Sequence, residues 1–200
     1  MTRHLYLVRH GEQLDAEHGL PDGPLSPRGK RQAAALAKRL GGVPFDAAYT
    51  SPLQRAVETA EIITEHLPSV VPEQTTLLFD CVPSGETPEM PAAYAPFFGG
   101  VTEAEIEAGA AQMADAEAEF LSARPQETHE LLITHNFVIG WLVRAALAAP
   151  EWRWVTINQA NCGLTVLSYK PGRAWNLVVH NDLAHLAPEL RTGLPEAFTL

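Results

Sequence analysis

Short apolar runs of strand length alternate with stretches of helical periodicity along this chain, and that alternation predicts a three-layer α/β/α sandwich. Two observations add detail. Leu131-Leu132-Ile133 is a continuous apolar run, the pattern of a central strand buried on both faces of a parallel sheet. The last two strand-like runs meet at Pro171-Gly172 like a hairpin, so the mostly parallel sheet is expected to carry an antiparallel edge strand.

The elements follow in order. Leu5, Leu7 and Val8 make a short buried strand that stops at Arg9-His10-Gly11, and polar residues with Gly, Pro and Asp make 12–25 a loop. Ser26-Pro27 supplies a helix cap followed by proline at the first helical position; Ala33, Leu36, Ala37 and Leu40 keep helical spacing until Gly41-Gly42. A second strand is expected at 45–49. Ser51-Pro52 repeats the helix-start signal, with Leu53, Val57, Ala60, Ile62 and Ile63 on one face as far as Leu67-Pro68. Residues 75–79 favour a strand. Pro83, Pro88, Pro91 and Pro96 forbid a long helix after Cys81, and Thr102 with Glu105 forms a capping box for a helix reaching about Ala123. The central strand ends at Thr134-His135, a helix covers 137–147, and strands cover 162–169 and 174–179. No linker or repeat interrupts the pattern, so a single domain is expected over residues 1–200, with about 81–122 as a lid-like insertion.

Composition narrows the function classes. A chain of 200 residues buries roughly 70% of its unfolded surface and needs no staples. The 14 basic and 24 acidic side chains give a net charge of −10, which argues against nucleic acid or an anionic membrane as partner. With only Cys81 and Cys162 there is no disulfide scaffold, a reducing compartment is expected, and the usual structural zinc spacings are absent. No stretch approaches the ~20 apolar residues that span a bilayer, and the start lacks the pattern of a secretory leader. Cytoplasmic residence is therefore the expectation.

The chemistry gathers at two strand ends. His10 and His135 each lie just past a buried strand, the edge where open α/β sheets build their sites. Gly11 after the first, and the helix start at Asn136 after the second, offer backbone N–H groups that favour an anion. Arg9 adjoins His10, and Arg55 opens the helix after the second strand. Two guanidinium forks and two imidazoles describe a pocket for a tetrahedral oxyanion. A lone strand-end histidine is more often structural; the joint arrangement carries the inference.

Arg9-His10-Gly11-Glu12 after a strand resembles the signature of the histidine phosphatase superfamily, which includes the phosphoglycerate mutases. Three more blocks agree in order: Leu25-Ser26-Pro27-Arg28-Gly29 with Gln32-Ala33, residues 50–56 with Glu58-Thr59-Ala60, and Thr134-His135-Asn136. Asn181-Asp182 with His185-Leu186 fits the family's usual ending. The likeness spans residues 3–186 and is nearest to the branch of mitochondrial protein Ser/Thr phosphatases built on the mutase fold, whose membrane anchor is not expected here.

The resemblance implies a phosphoglycerate mutase-like fold and a phosphomonoesterase with His10 as the nucleophile that becomes phosphorylated. Arg9, Arg55 and His135 would hold the phosphoryl oxygens, with Gly11 and Asn136 also contacting substrate. The family usually takes its proton donor from a Glu after the third strand. Here that place holds Asp80, with Glu86 as the alternative acid. Glu12 is expected to hydrogen-bond near the site. The scheme needs no metal or other cofactor.

Between Arg55 and Arg124 there is no Lys or Arg, whereas Phe79, Tyr94, Phe97 and Phe98 suggest an aromatic rim. A mutase must grip a second anion, so hydrolysis of a phosphorylated small molecule or phosphoprotein is favoured. Mutase-type phosphotransfer and a non-catalytic phosphoanion- or partner-binding module on the same fold are the alternatives, and a homodimer stays open. His4, His18, His66, His129 and His180 are assigned to surface or core, His185 to ordering the C-terminal segment, and Phe137, Trp141, Trp152 and Trp154 to packing.

Overall fold

A computed structural model describes residues 1–15, 21–67 and 70–194. His18 and Pro68 lie outside the described residues. Six strands form one sheet in the order β3-β2-β4-β1-β5-β6, where β1 is Arg3–Arg9, β2 Ala47–Thr50, β3 Pro72–Gln74, β4 Thr128–Thr134, β5 Leu164–Tyr169 and β6 Asn176–Asp182. The pairs β1–β4, β2–β4 and β2–β3 are parallel; β1–β5 and β5–β6 are antiparallel. The reversed strand is thus β5, one place in from the edge strand β6. The hairpin at Pro171-Gly172 turns β6 back into the direction of the first four strands, and Gly172 takes the positive φ of 79° that this turn requires.

Alternation along the strands explains the layers. On one face Val8, Leu131 and Ile133 pack with Leu36, Ala37 and Leu40 of helix α1 (Pro27–Leu40) and Ala56, Ala60 and Ile63 of helix α2 (Gln54–Thr64). On the other, Leu5, Leu7 and Leu132 pack with Met113, Ala116 and Phe120 of α4 (Glu103–Phe120) and Val138, Ile139 and Leu142 of α5 (Asn136–Ala146). This is the expected α/β sandwich. The short α3 (Ala95–Phe98) follows a 3₁₀ turn within the proline-rich stretch.

Two capping expectations hold. The Ser26 hydroxyl accepts from the Gly29 N–H at the start of α1, and Thr102 and Glu105 form the reciprocal box on α4. Two local expectations fail for hydrogen-bonding reasons. Ser51 does not cap α2: its hydroxyl meets His135 and accepts from the Leu53 N–H ahead of the helix, which starts at Gln54, whose N–H is taken by Asp22. Residues 75–79 are not a strand. Pairing with β2 ends at Gln74, and the Thr75 hydroxyl accepts from the Leu77 N–H, tightening 76–78 into a 3₁₀ turn. That turn, anchored where the Thr134 hydroxyl donates to the Leu78 carbonyl at 2.7 Å, delivers Asp80 to the sheet edge.

Candidate active site

Because β2, β4 and β1 are adjacent and parallel, their C-terminal ends arrive side by side. Thr50 is in register with Ile133, and Arg9 with Thr134. One residue beyond each strand, the ladder continues: the His10 N–H donates to the Thr134 carbonyl and the Ser51 N–H to that of Ile133, both at 2.9 Å. Sheet register alone therefore places His10, His135 and Ser51 in a row. The His10 and His135 ring centroids are 5.1 Å apart.

The His10 loop is held from three sides. Asn161 Nδ2 donates to the His10 carbonyl at 2.9 Å, and the Gly11 N–H donates to Thr59 Oγ1 at 3.0 Å. A side chain on Gly11 would meet the Gly29 carbonyl oxygen at 2.8 Å, and one on Gly29 would strike the Glu12 carbonyl, so the loop and the first turn of α1 need glycine at both positions. The Gly11 N–H expected to meet an anion is thus already used by Thr59. Glu12 accepts from the Ser26 hydroxyl at 2.7 Å and pairs with Arg28 at 3.1 Å, stapling the loop to α1.

Hydrogen-bond partners set the tautomers. His10 Nδ1–H donates to the Gly11 carbonyl at 2.7 Å, and its Nε2 accepts from Arg55 Nε at 3.1 Å. His135 Nε2–H meets Ser51 Oγ at 2.8 Å, and its Nδ1 faces Arg55 Nη2 at 3.2 Å. Both imidazoles are neutral. Burial and the charges of Arg9 and Arg55 hold His10 well below its usual range; burial, His10 and the same arginines do so for His135.

Arg55 is the hub. Besides His10 and His135 it donates through Nη2 to Asp80 at 2.9 Å and through Nη1 to the Pro21 carbonyl at 3.0 Å, with Asp22 at 3.5 Å. Asp80 Oδ2 lies 3.7 Å from His135 Nδ1. Its side chain is 40% exposed to the cleft, yet the surrounding protein raises the carboxyl above its ordinary value despite the opposing pull of Arg55 and Arg9. Glu86, the alternative acid, is exposed and lines neither cleft at this edge.

Arg9 faces the same cleft. Its Nη1 donates to the carbonyls of Gln159 (2.8 Å) and Gly193 (2.6 Å), and no described residue bonds its Nη2. Burial lowers its guanidinium to about 10, so it stays cationic at neutral pH. Asn136 also lines the cleft, but its amide joins Asn158 and the Gln159 N–H, fixing the loop that receives Arg9.

Two clefts meet here. One of about 410 Å³ is lined by Arg9, His10, Asp80, His135 and Asn136; the other, of about 550 Å³, lies between residues 79–82 and α4. Asp80 and Phe137 border both. Phe137, assigned to packing alone, is therefore also a wall of the site. Of the expected aromatic rim, Phe79 lines the second of these clefts, whereas Phe97 packs edge-on against Phe98, Phe137 and Trp154, and Tyr94 lies on Trp152.

Sequence reasoning missed Ser51, Thr59, Asp22, Gln159 and Asn161. Thr59 stood within a block that had been singled out, and Ser51 carried a competing helix-cap signal. Elsewhere, His4, Glu127 and His129 place potential metal-ligand atoms within 4.8 Å of one another at the opposite end of β1 and β4. The two rings stack at 4.5 Å and 15°, so their in-plane lone pairs run alongside each other rather than converging.

The human mitochondrial serine/threonine-protein phosphatase PGAM5 is 31% identical over 94% of this chain, which spans 65% of that relative's length. Bacillus stearothermophilus YhfR superposes with a TM-score of 0.74 at 25% identity, covering 92% of this chain and all of that one. A Plasmodium falciparum phosphoglycerate mutase shares the fold, with a TM-score of 0.60 at 20% identity over 98% and 96% of the two chains. The mitochondrial naming of the curated relatives overturns the expectation of a cytoplasmic protein. No helix among the described residues is long and apolar enough to cross a membrane. The family model for the histidine phosphatase superfamily, branch 1, matches residues 5–79 and 86–183, leaving out the stretch that carries Asp80, and the chain belongs to that superfamily.

Proposed function

We propose that the chain hydrolyses phosphomonoesters through a phosphohistidine on His10. The observation that carries this reading is the state of the His10 ring: buried and neutral, its Nδ1–H on the Gly11 carbonyl, its Nε2 lone pair turned toward Arg55 and the cationic cleft. Such a ring is ready to attack phosphorus. Arg55 Nε must first leave Nε2, and a phosphoryl oxygen is the acceptor that competes for it. Substrate binding thereby frees the nucleophile it needs. Arg9 supplies a second fork from the other side. His135, its Nε2–H held by Ser51, takes a proton on Nδ1 when a dianion arrives, and then donates to it.

In the first step an N–P bond forms at His10 Nε2, the ester P–O bond breaks, and the departing alkoxide takes the proton of Asp80. The raised carboxyl of Asp80 and its place between the two clefts suit it to that task. In the second step water attacks phosphorus, Asp80 takes a proton back, the N–P bond breaks and phosphate leaves. Charge stabilisation comes from the chain's own arginines. The chain acts as one domain over residues 1–200 with 81–122 as its cover, α4 being anchored in the core by Met113, Ala116 and Phe120.

The relatives' names suit a phosphatase: PGAM5 is a serine/threonine-protein phosphatase, and a fold neighbour is the phosphoserine phosphatase of Entamoeba histolytica. The test is release of 4-nitrophenol from 4-nitrophenyl phosphate by the wild type and by His10→Ala. The expected loss is at least ~10³-fold. Negligible release by both proteins would favour a phosphoanion-binding module instead.

A further inference from the structure

We infer that the cleft between residues 79–82 and α4 is a leaving-group subsite selective for phosphomonoesters whose alcohol half is aromatic or apolar and bears no anion of its own. The inference rests on the phosphatase reading above and deepens it. Phe137 and Asp80 are shared with the phosphate cleft, so a group leaving from phosphorus at His10 passes directly into this space. Its walls include Pro21, Leu53, Phe79, Val82 and the exposed face of α4 at Ala108. Gly109 makes the shape possible, because a side chain there would strike the Val82 carbonyl and push residues 80–82 off the helix.

The ionisable groups lining this cleft are all acidic or, for Cys81, neutral: Asp22, Asp80 and Glu105, with no Lys, Arg or His among them. Asp22 is held by the Gln54 N–H at 3.0 Å, and Glu105 by the Thr102 backbone N–H and hydroxyl at 2.8 and 2.7 Å. Those bonds keep the Glu105 carboxyl below its usual range, hence ionised. Burial pushes the Cys81 thiol up to about 12, so it adds no charge at neutral pH. A ring entering between Phe79 and Phe137 is welcomed, whereas a carboxylate or second phosphate meets the ionised Glu105 with no cation lining the cleft to offset it, Asp22 and Asp80 being already paired with Arg55.

The experiment compares phenyl phosphate with 4-carboxyphenyl phosphate, because the added carboxylate slightly improves the leaving group and any preference against it must come from binding. The wild type is expected to show kcat/KM at least ~10-fold higher for phenyl phosphate. Ala108→Lys, a change on an exposed helix face, is expected to narrow that ratio by raising turnover of the carboxylated ester, and Ala108→Glu to widen it. Equal kcat/KM values in the wild type, or a ratio that neither variant moves, would overturn the subsite while leaving the phosphatase reading intact. Turnover of neither ester would overturn both.

Discussion

The two clefts that share Asp80 are built from different kinds of structure. The phosphate cleft is made at the ends of three neighbouring parallel strands, so sheet register positions His10, Ser51 and His135 to within a hydrogen bond. The leaving-group cleft is made by a loop lying on one helix, held by Gly109 and by Gln112, whose amide donates to the Phe79 carbonyl at 2.8 Å. The first is lined by Arg9 and two imidazoles beside Asp80, the second by apolar walls and acidic side chains. A fold can therefore keep its reaction constant while changing what it reacts with, because the two properties depend on separate contacts.

That division predicts unequal tolerance. The largest effect is expected from Arg55→Lys, which keeps the charge but loses the fork that reaches both histidines and Asp80; turnover of 4-nitrophenyl phosphate should fall ~10²–10³-fold in steady-state assays. Asp80→Asn should slow an alkyl phosphate by roughly 10²-fold or more and an aryl phosphate much less, since an aryl leaving group needs little protonation. It should also remove the fall in kcat at high pH: the acid must be protonated, and its pKa is raised in the folded chain. Equal slowing of both esters would remove Asp80 from the acid role.

Ser51→Ala frees His135 Nε2, and a loss of about tenfold in kcat/KM with little change in melting temperature would distinguish positioning from folding. Stability offers a milder test of the buried neutral imidazoles. Because His10 and His135 are depressed in the folded state, the unfolded chain binds more protons below about pH 6.5, the ordinary histidine value. Melting temperature should therefore fall as pH drops through that value, and a flat profile would deny their burial as neutral rings. Smallest of all, Ser26→Ala should cost about 1 kcal/mol by removing the cap of α1, read from urea unfolding, without altering leaving-group preference.

The same contrast explains what the sequence made legible. Arg9, His10, Arg55 and His135 could be placed together because strand ends and helix starts leave periodic signatures, and parallel neighbours put those ends at one edge. Asp80 was reachable only through the resemblance, as the residue standing where the family usually carries a glutamate after the third strand. Ser51 was hidden because serine before proline also signals a helix start, and only the three-dimensional arrangement shows His135 taking its hydroxyl. The role of Phe137 was hidden for a related reason: helical spacing reports which face is covered, not that the covered face ends at a cleft. The second cleft left no periodic trace, as its shape depends on one glycine under a loop carbonyl.

The central claim is tested most directly by quenching the enzyme in alkali during turnover of a phosphomonoester and locating covalent phosphate by mass spectrometry. Phosphate on His10 of the wild type, lost on acid treatment and absent from His10→Ala, is the predicted result. An active enzyme that carries no phosphate, or carries it on another residue, would contradict the account.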